Sequence, residues 1–248
     1  MLNAESLRHL PTKISPCPII EAIAEVRFQS NIPHSVLPGM IYAAIRDRFP
    51  TQQDLPNSQI PEALRIANPA LRYQHTIRFL GEGLTLSVGA QVFSISCTAG
   101  QYPGWTAYEE MLSFLIERFR PLGFIRTLER LGLRYLDFFE LPVVDKLQLE
   151  LLVSGNSLMS APLHISCQLQ REAFACLLQL NTASTVQIAG KQLFGAVLDL
   201  DVAFMLKSST FPDLVLDTFK QAHVLQKKMF FEELLKREYL TKLNPVYE

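Results

Sequence analysis

Charge and cysteine are scarce in this sequence, and long apolar runs are missing. Only 19% of the 248 residues are charged, and Lys+Arg at 23 nearly balance Asp+Glu at 24. A chain without a basic excess is a poor generic binder of polyanions. The four cysteines, Cys17, Cys97, Cys167 and Cys176, form no Cys-x-x-Cys pair. The last three lie in alternating apolar runs, where a thiol serves as a small hydrophobe, so the expected setting is reducing and cytoplasmic. Met1 to Pro16 has no apolar stretch of the kind a signal peptide needs. The longest uncharged segment, Gly83 to Tyr108, is interrupted by Ser, Thr, Gln, Gly and Pro. It reads as strands and a turn, and no membrane association is expected. A Gly-rich phosphate loop, His-Glu-x-x-His and Gly-x-Ser-x-Gly are all lacking, and the five histidines are scattered. The sequence therefore names no cofactor and no catalytic residue.

What is present is apolar mass. Hydrophobic residues make up 48% of the chain, and folding a chain of this size buries roughly 73% of its unfolded surface. The core needs neither disulfides nor metals. Residues 1–125 hold ten basic and ten acidic residues, nine of the bases being Arg; residues 126–248 hold thirteen and fourteen, with eight Lys.

The alternation of Ala22, Ala24, Val26 and Phe28 with Glu21, Glu25 and Arg27 predicts a first strand over Pro18–Gln29. A short helix follows to Phe49. Residues 50–70, with four prolines, read as a long loop, mobile or in contact with a partner. Tyr73, His75, Ile77 and Phe79 form the apolar side of the next strand, which makes His75 a core histidine; two further hairpin strands follow. Thr106 and Glu109 have capping-box spacing at the start of a helix with a Trp105, Tyr108, Leu112, Leu115, Phe119 stripe. Arg126 to Leu141 is a strand. Residues 143–153 fit strand or helix. Strands are expected at Leu163–Leu169, Phe174–Leu180 and 193–206, and Thr210, Pro212 and Asp213 open a last helix running to about Tyr239.

An offset of 107 residues relates Glu25-Val26-Arg27-Phe28 to Gly132-Leu133-Arg134-Tyr135, Trp105 to Pro212, and Met40 to Leu147, which tips 143–153 towards helix. The pattern predicts an α+β fold made by internal duplication of a strand-helix-three-strand-helix unit. One curved antiparallel sheet would carry helices on one face, TATA-binding-protein-like or helix-grip-like in topology. The expected organisation is an N-terminal arm (1–17), a first repeat (18–125) and a second repeat (126–248) ending in the long helix.

Pro18-Ile19-Ile20-Glu21-Ala22, Gly104-Trp105, Arg130-Leu131-Gly132-Leu133-Arg134-Tyr135, Asp199-Leu200-Asp201 and Phe230-Phe231-Glu232 occur in this order. Together they resemble a sporadically distributed family of bacterial and archaeal proteins of about this length without an assigned activity. The resemblance spans nearly the whole chain. It implies an accessory role, in settings such as phage defence or toxin control, and supplies no catalytic residue.

Two surfaces stand out. Glu21, Glu25, Arg27, Arg72, Arg78, Arg130 and Arg134 are expected on the polar sheet face, as a binding surface with fixed Arg donors or as a solvated face stitched by ion pairs. Glu25 is expected within reach of Arg130 or Arg134. The acids at 21, 25, 199 and 201 would repel phosphate, so nucleic acid is admitted but not favoured. Leu225, Phe230, Phe231, Leu234 and Leu235 occupy too wide an arc of the last helix for one buried side, which predicts a partner or homo-oligomer interface. The leading functional expectation is a non-catalytic binding or assembly protein. A nucleic-acid module comes second. A metal-dependent hydrolase using Glu25, Asp199 and Asp201 comes third, Asp199 and Asp201 being the weak metal candidates.

Overall fold

The computed structural model describes residues 9–98, 101–188, 190–206 and 214–247, without the side chains of Glu62, Ile66 and Thr98. The helix-start signal at Thr210, Pro212 and Asp213 and the beginning of the N-terminal arm lie outside the described residues. The first half contains β1 (Ile19–Ser30), α1 (Leu37–Ile45), β2 (Thr51–Asp54), α2 (Glu62–Ala67), β3 (His75–Leu80), β4 (Thr85–Gly89), β5 (Val92–Thr98) and α3 (Trp105–Phe119). The second half contains β6 (Ile125–Phe139), the small hairpin β7 (Leu152–Val153) and β8 (Asn156–Ser157), β9 (His164–Arg171), β10 (Phe174–Ile188), β11 (Lys191–Met205), α4 (Val215–Lys228) and α5 (Arg237–Leu240). The fold is α+β. Nine strands make one antiparallel sheet in the order β2-β3-β4-β5-β1-β6-β11-β10-β9. Among the described residues no helix is long and apolar enough to cross a membrane.

Alternation decides what the sheet buries. Ala22, Ala24, Val26 and Phe28 of β1 join Leu131, Leu133 and Tyr135 of β6 and Leu198, Leu200 and Val202 of β11 in one core, with Leu37, Ile41 and Ile45 of α1 and the stripes of α3 and α4. The small side chains at Ala22 and Ala24 leave room for Tyr108, which is fully buried and donates its hydroxyl to the Ile95 carbonyl at 2.7 Å. A buried phenol needs such an acceptor. On α4, Gln226 lies inside the core and its Nε2 donates to the carbonyls of Leu133 and Leu200, both at 2.7 Å. The helix is thereby bonded to the two strands beneath it.

Four local expectations are corrected. Residues 143–153 are not helical: a 3-10 turn at Val143–Asp145 leads to Leu147, which bridges Leu235, and on to β7. The expected loop at 50–70 holds β2, a 3-10 turn at Pro56–Gln59 and α2. Thr106 does not cap α3. The cap is Gly104 at φ 90°, a left-handed position that glycine tolerates, and Thr106 already lies in the first turn. The long last helix ends at Lys228, winds wider as a π-turn at Met229–Leu234 and becomes extended at Leu235.

That ending takes part of the expected interface surface into the chain itself. Leu225, Leu234 and Leu235 are buried in the chain's own core. Phe230 and Phe231 are part-buried, and the Phe230 ring stacks on Phe139 at 6.5 Å. The tail folds back over this region: Tyr239 packs edge-on against Phe139, and Val246 pairs with Lys13. Leu234 and Leu235 are covered because the helix breaks and lets the chain return, while Phe230 and Phe231 keep some exposure. Leu235→Ala should therefore lower the unfolding free energy by about 2–5 kcal/mol, the usual cost of a buried Leu truncation, with no change in sedimentation mass. Urea denaturation and analytical ultracentrifugation check both halves of that expectation.

Candidate functional site

The sheet face opposite the helices is lined by a chain of ion pairs across its central strands. The register sets Arg27 of β1 opposite Arg130 of β6, and Glu25 opposite Gly132. Arg130 sits opposite Met205 of β11, and Arg134 opposite Asp201. Arg130 reaches diagonally both ways: Nη1 donates to Glu25 Oε1 at 2.7 Å and Nη2 to Asp201 Oδ2 at 2.5 Å. Arg27 Nε donates to the same Glu25 oxygen at 2.7 Å. Arg134 holds Asp199 with two bonds, at 2.7 and 2.5 Å. The expected pair between Glu25 and a β6 arginine is present, and Arg130 makes it.

Gly132 explains how Arg130 fits. A Cβ at that position would lie 2.1 Å from Arg130 Nη1. The guanidinium lies over the glycine backbone, and the clamp from Glu25 and Asp201 keeps it there. Its side chain is only 12% exposed, so these are screened less than surface ion pairs.

Two residues of the face escape period-two reading. Glu129 should point to the core with Leu131 and Leu133, but a register shift between Arg27 and Phe28 pushes it to the open face. There it accepts bonds from Tyr73 Oη at 2.5 Å, Arg72 Nη2 at 2.8 Å and Gln29 Nε2 at 2.9 Å. Burial works against the ionised form of Glu129, yet the bonds from Tyr73 and Gln29 and the charge of Arg72 hold its pKa below the usual value. His75 is the second. A shift between His75 and Ile77 takes it off the apolar side, so it is no core histidine, and it meets Ser94 Oγ at 3.1 Å. Gly89 permits this, since a Cβ there would lie 2.2 Å from the Gln74 carbonyl oxygen. The pair resembles a nucleophile with its base, but Ser94 is only 5% exposed and offers little to a substrate.

The other expected residues sit as follows. Arg72 joins through Glu129, and Arg27 also lies over the Tyr73 ring at 4.6 Å. Glu21 lies near Arg134 and Asp199; burial raises its pKa and Arg134 opposes the rise. Arg78 stands apart and donates to Gln53 at 2.9 Å. Asp199 and Asp201 share the face but are held by different arginines, and no group of three potential metal ligands occurs among the described residues. Cys167 is exposed on β9, not buried as its alternation suggested.

Beside the ion chain runs a groove of about 420 Å³, between Arg130 and Asp201 on one side and Gln168 and Gln170 of β9 on the other, floored by Leu177 and Ala203. Asp201 Oδ1 is buried and unpartnered, and burial raises the pKa of this carboxyl while Arg130 resists the rise. On the helix side a second polar group is enclosed. His223 stacks on Trp105 at 4.0 Å and bonds to Tyr135, which bonds to Tyr102. Burial depresses the His223 pKa to about 3 and lifts that of Asp137 to about 8.

No protein-family model matches the chain, and no curated protein matches it.

Two outcomes follow from these charges. Arg130→Met strands Asp201 and leaves Glu25 with Arg27 alone, and should cost about 3–5 kcal/mol of stability, as removal of one partner of a buried pair does; Gly132→Ala should destabilise in the same sense. Urea unfolding checks both. For Asp137, the unfolded chain releases its proton near 3.8 and the folded chain near 8. Stability contributed by this group therefore falls as pH rises through that window and levels off above it. His223 acts oppositely, losing stability as pH falls below 6.5. Asp137→Asn should melt higher than the parent at pH 8, and the gap should shrink towards pH 4; calorimetry across that range reads it.

Proposed function

We propose that this is a non-catalytic binding protein that takes an extended segment of a partner polypeptide along the outer edge of β9, with a basic side chain of that segment in the Asp201 groove. The observation that carries the reading is Asp201, which lines a groove near the edge strand β9 and whose Oδ1 is a buried acceptor with no partner. β9 ends the sheet, runs eight residues in unbroken register with β10, and contains neither Pro nor Lys. Such an edge is a template for strand addition. The opposite edge, β2, has only four residues. A buried carboxylate oxygen asks for a cationic or amide donor. A second copy pairing through β9 would bring His164, Ser166, Gln168 and Gln170 to that face, and none is a fixed cation.

The neutralised ion chain argues against a nucleic-acid surface, since each of Arg27, Arg72, Arg130 and Arg134 already faces a carboxylate. An accessory role beside an effector enzyme belongs to the same proposal and rests on the family resemblance alone. We also read the fold as an internal duplication. Supporting it, the strands outward from the centre run β1-β5-β4-β3 on one side and β6-β11-β10-β9 on the other, and Glu25 faces Gly132, its mate at the 107-residue offset.

A peptide-display selection on the immobilised full chain tests the binding reading. Enriched peptides should be extended and carry Lys or Arg. Ala175→Lys, at an exposed position lining the groove, places an internal ammonium near Asp201 and should weaken those peptides at least tenfold. No enrichment, self-association through β9, or binding of single-stranded RNA with a steep salt dependence would overturn it.

A further inference from the structure

A second cavity, of about 240 Å³, lies where α2 meets the start of β3 and the β4–β5 turn. Arg65, Arg72, Gln74 and Gln91 line it together with Leu71 and Ala90, and among the described side chains no carboxylate does. Arg65 is the unusual member. It is 8% exposed, its Nε is buried without a partner, and Nη1 makes a single long bond of 3.5 Å to the Asn57 carbonyl. Among the described side chains no acid lies within ion-pair distance of it. A guanidinium cannot shed its charge, so burying one unpaired is costly and calls for a counter-charge.

The neighbours point the same way. Gln74 Oε1 is taken by Asn57 and Gln91 Oε1 by Arg72. Their acceptor ends are thus used, and their amide NH2 groups are what they have left to offer. Thr76 Oγ1, also on the wall, is engaged by His34 and the Val88 carbonyl. The wall is rich in donors and poor in acceptors. Its volume is several times the roughly 30 Å³ share of one water, so it takes a group of several heavy atoms.

We infer that this cavity binds a small molecule through an oxyanion, a phosphate or carboxylate, with Arg65 as the principal counter-charge and Arg72, Gln74 and Gln91 as further donors. The site shares no lining residue with the Asp201 groove used as a peptide site, and stands independently of the peptide reading.

The test follows the Nε–H resonances of 15N-arginine-labelled full-length protein during titration with inorganic phosphate and, separately, succinate, each against chloride at equal ionic strength. The Arg65 Nε–H signal should move in a saturable way with at least one probe. Response to phosphate alone assigns a phosphate ligand, to succinate alone a carboxylate, and to both a general oxyanion site. Arg65→Met identifies the signal. Gln91→Glu, which sets a carboxylate in the cavity with little change of shape, keeps Arg65 and should weaken binding at least tenfold. No saturable shift beyond the chloride control with either probe would overturn the inference, as would undiminished binding in Gln91→Glu.

Discussion

Arg130 stands at the seam where β1 and β6 join the two halves of the sheet, its guanidinium shared between Glu25 and Asp201 and laid over Gly132. The seam needs that lock. Backbone bonds in an antiparallel ladder are the same at every register, so side chains must choose one. A one-residue slip is already forbidden, because it would exchange Ala22, Ala24, Val26 and Phe28 for Glu21, Glu25 and Arg27 on the core side. A two-residue slip keeps each face intact. What marks the observed register is charge: with Glu25 opposite Gly132, Arg130 reaches diagonally to Glu25 on one side and Asp201 on the other.

The same lock shapes what the open face can recognise. Arginines matched by carboxylates at hydrogen-bond distance project little field into solvent, so the face acts through fixed hydrogen bonds at short range. The matching is incomplete at Asp201, where one oxygen faces Arg130 and the other is buried without a partner. It is incomplete at Arg65 in the opposite sense, where the buried Nε of a cation has no partner among the described residues. A folded chain keeps such groups at a cost in stability, and both occur beside a cavity.

The two halves differ where they meet the outside. The first ends in the four-residue β2; the second ends in the eight-residue β9. They differ again in their last helices. α3 runs to Phe119, whereas α4 gives way to a π-turn so that Leu235 can bridge Leu147 and Gln148 can bond to the carbonyls of Leu234 and Leu235. Pairing with a strand far away in sequence replaces the helical bonds that the break gives up, and it closes the core over Phe139.

The sequence by itself determined what its periodicity encodes: the alternating strands, the stripes on α3 and α4, the antiparallel class of the sheet, and the meeting of Glu25 with a β6 arginine. Each follows from nearest-neighbour geometry, in which side chains two apart on a strand or three to four apart on a helix share a face. Glu129, His75, Leu235 and Arg65 were decided only by the tertiary structure. Two separate register shifts move the first two across the sheet, and nothing in their local alternation marks them. The break before Leu235 depends on a partner 88 residues earlier, so the local apolar pattern, which suits a continued helix, loses to a long-range pairing. Arg65 is buried by strands and a turn that come after it in the chain, and burial of a charge is a property of the assembled surroundings that a segment's own residues do not contain.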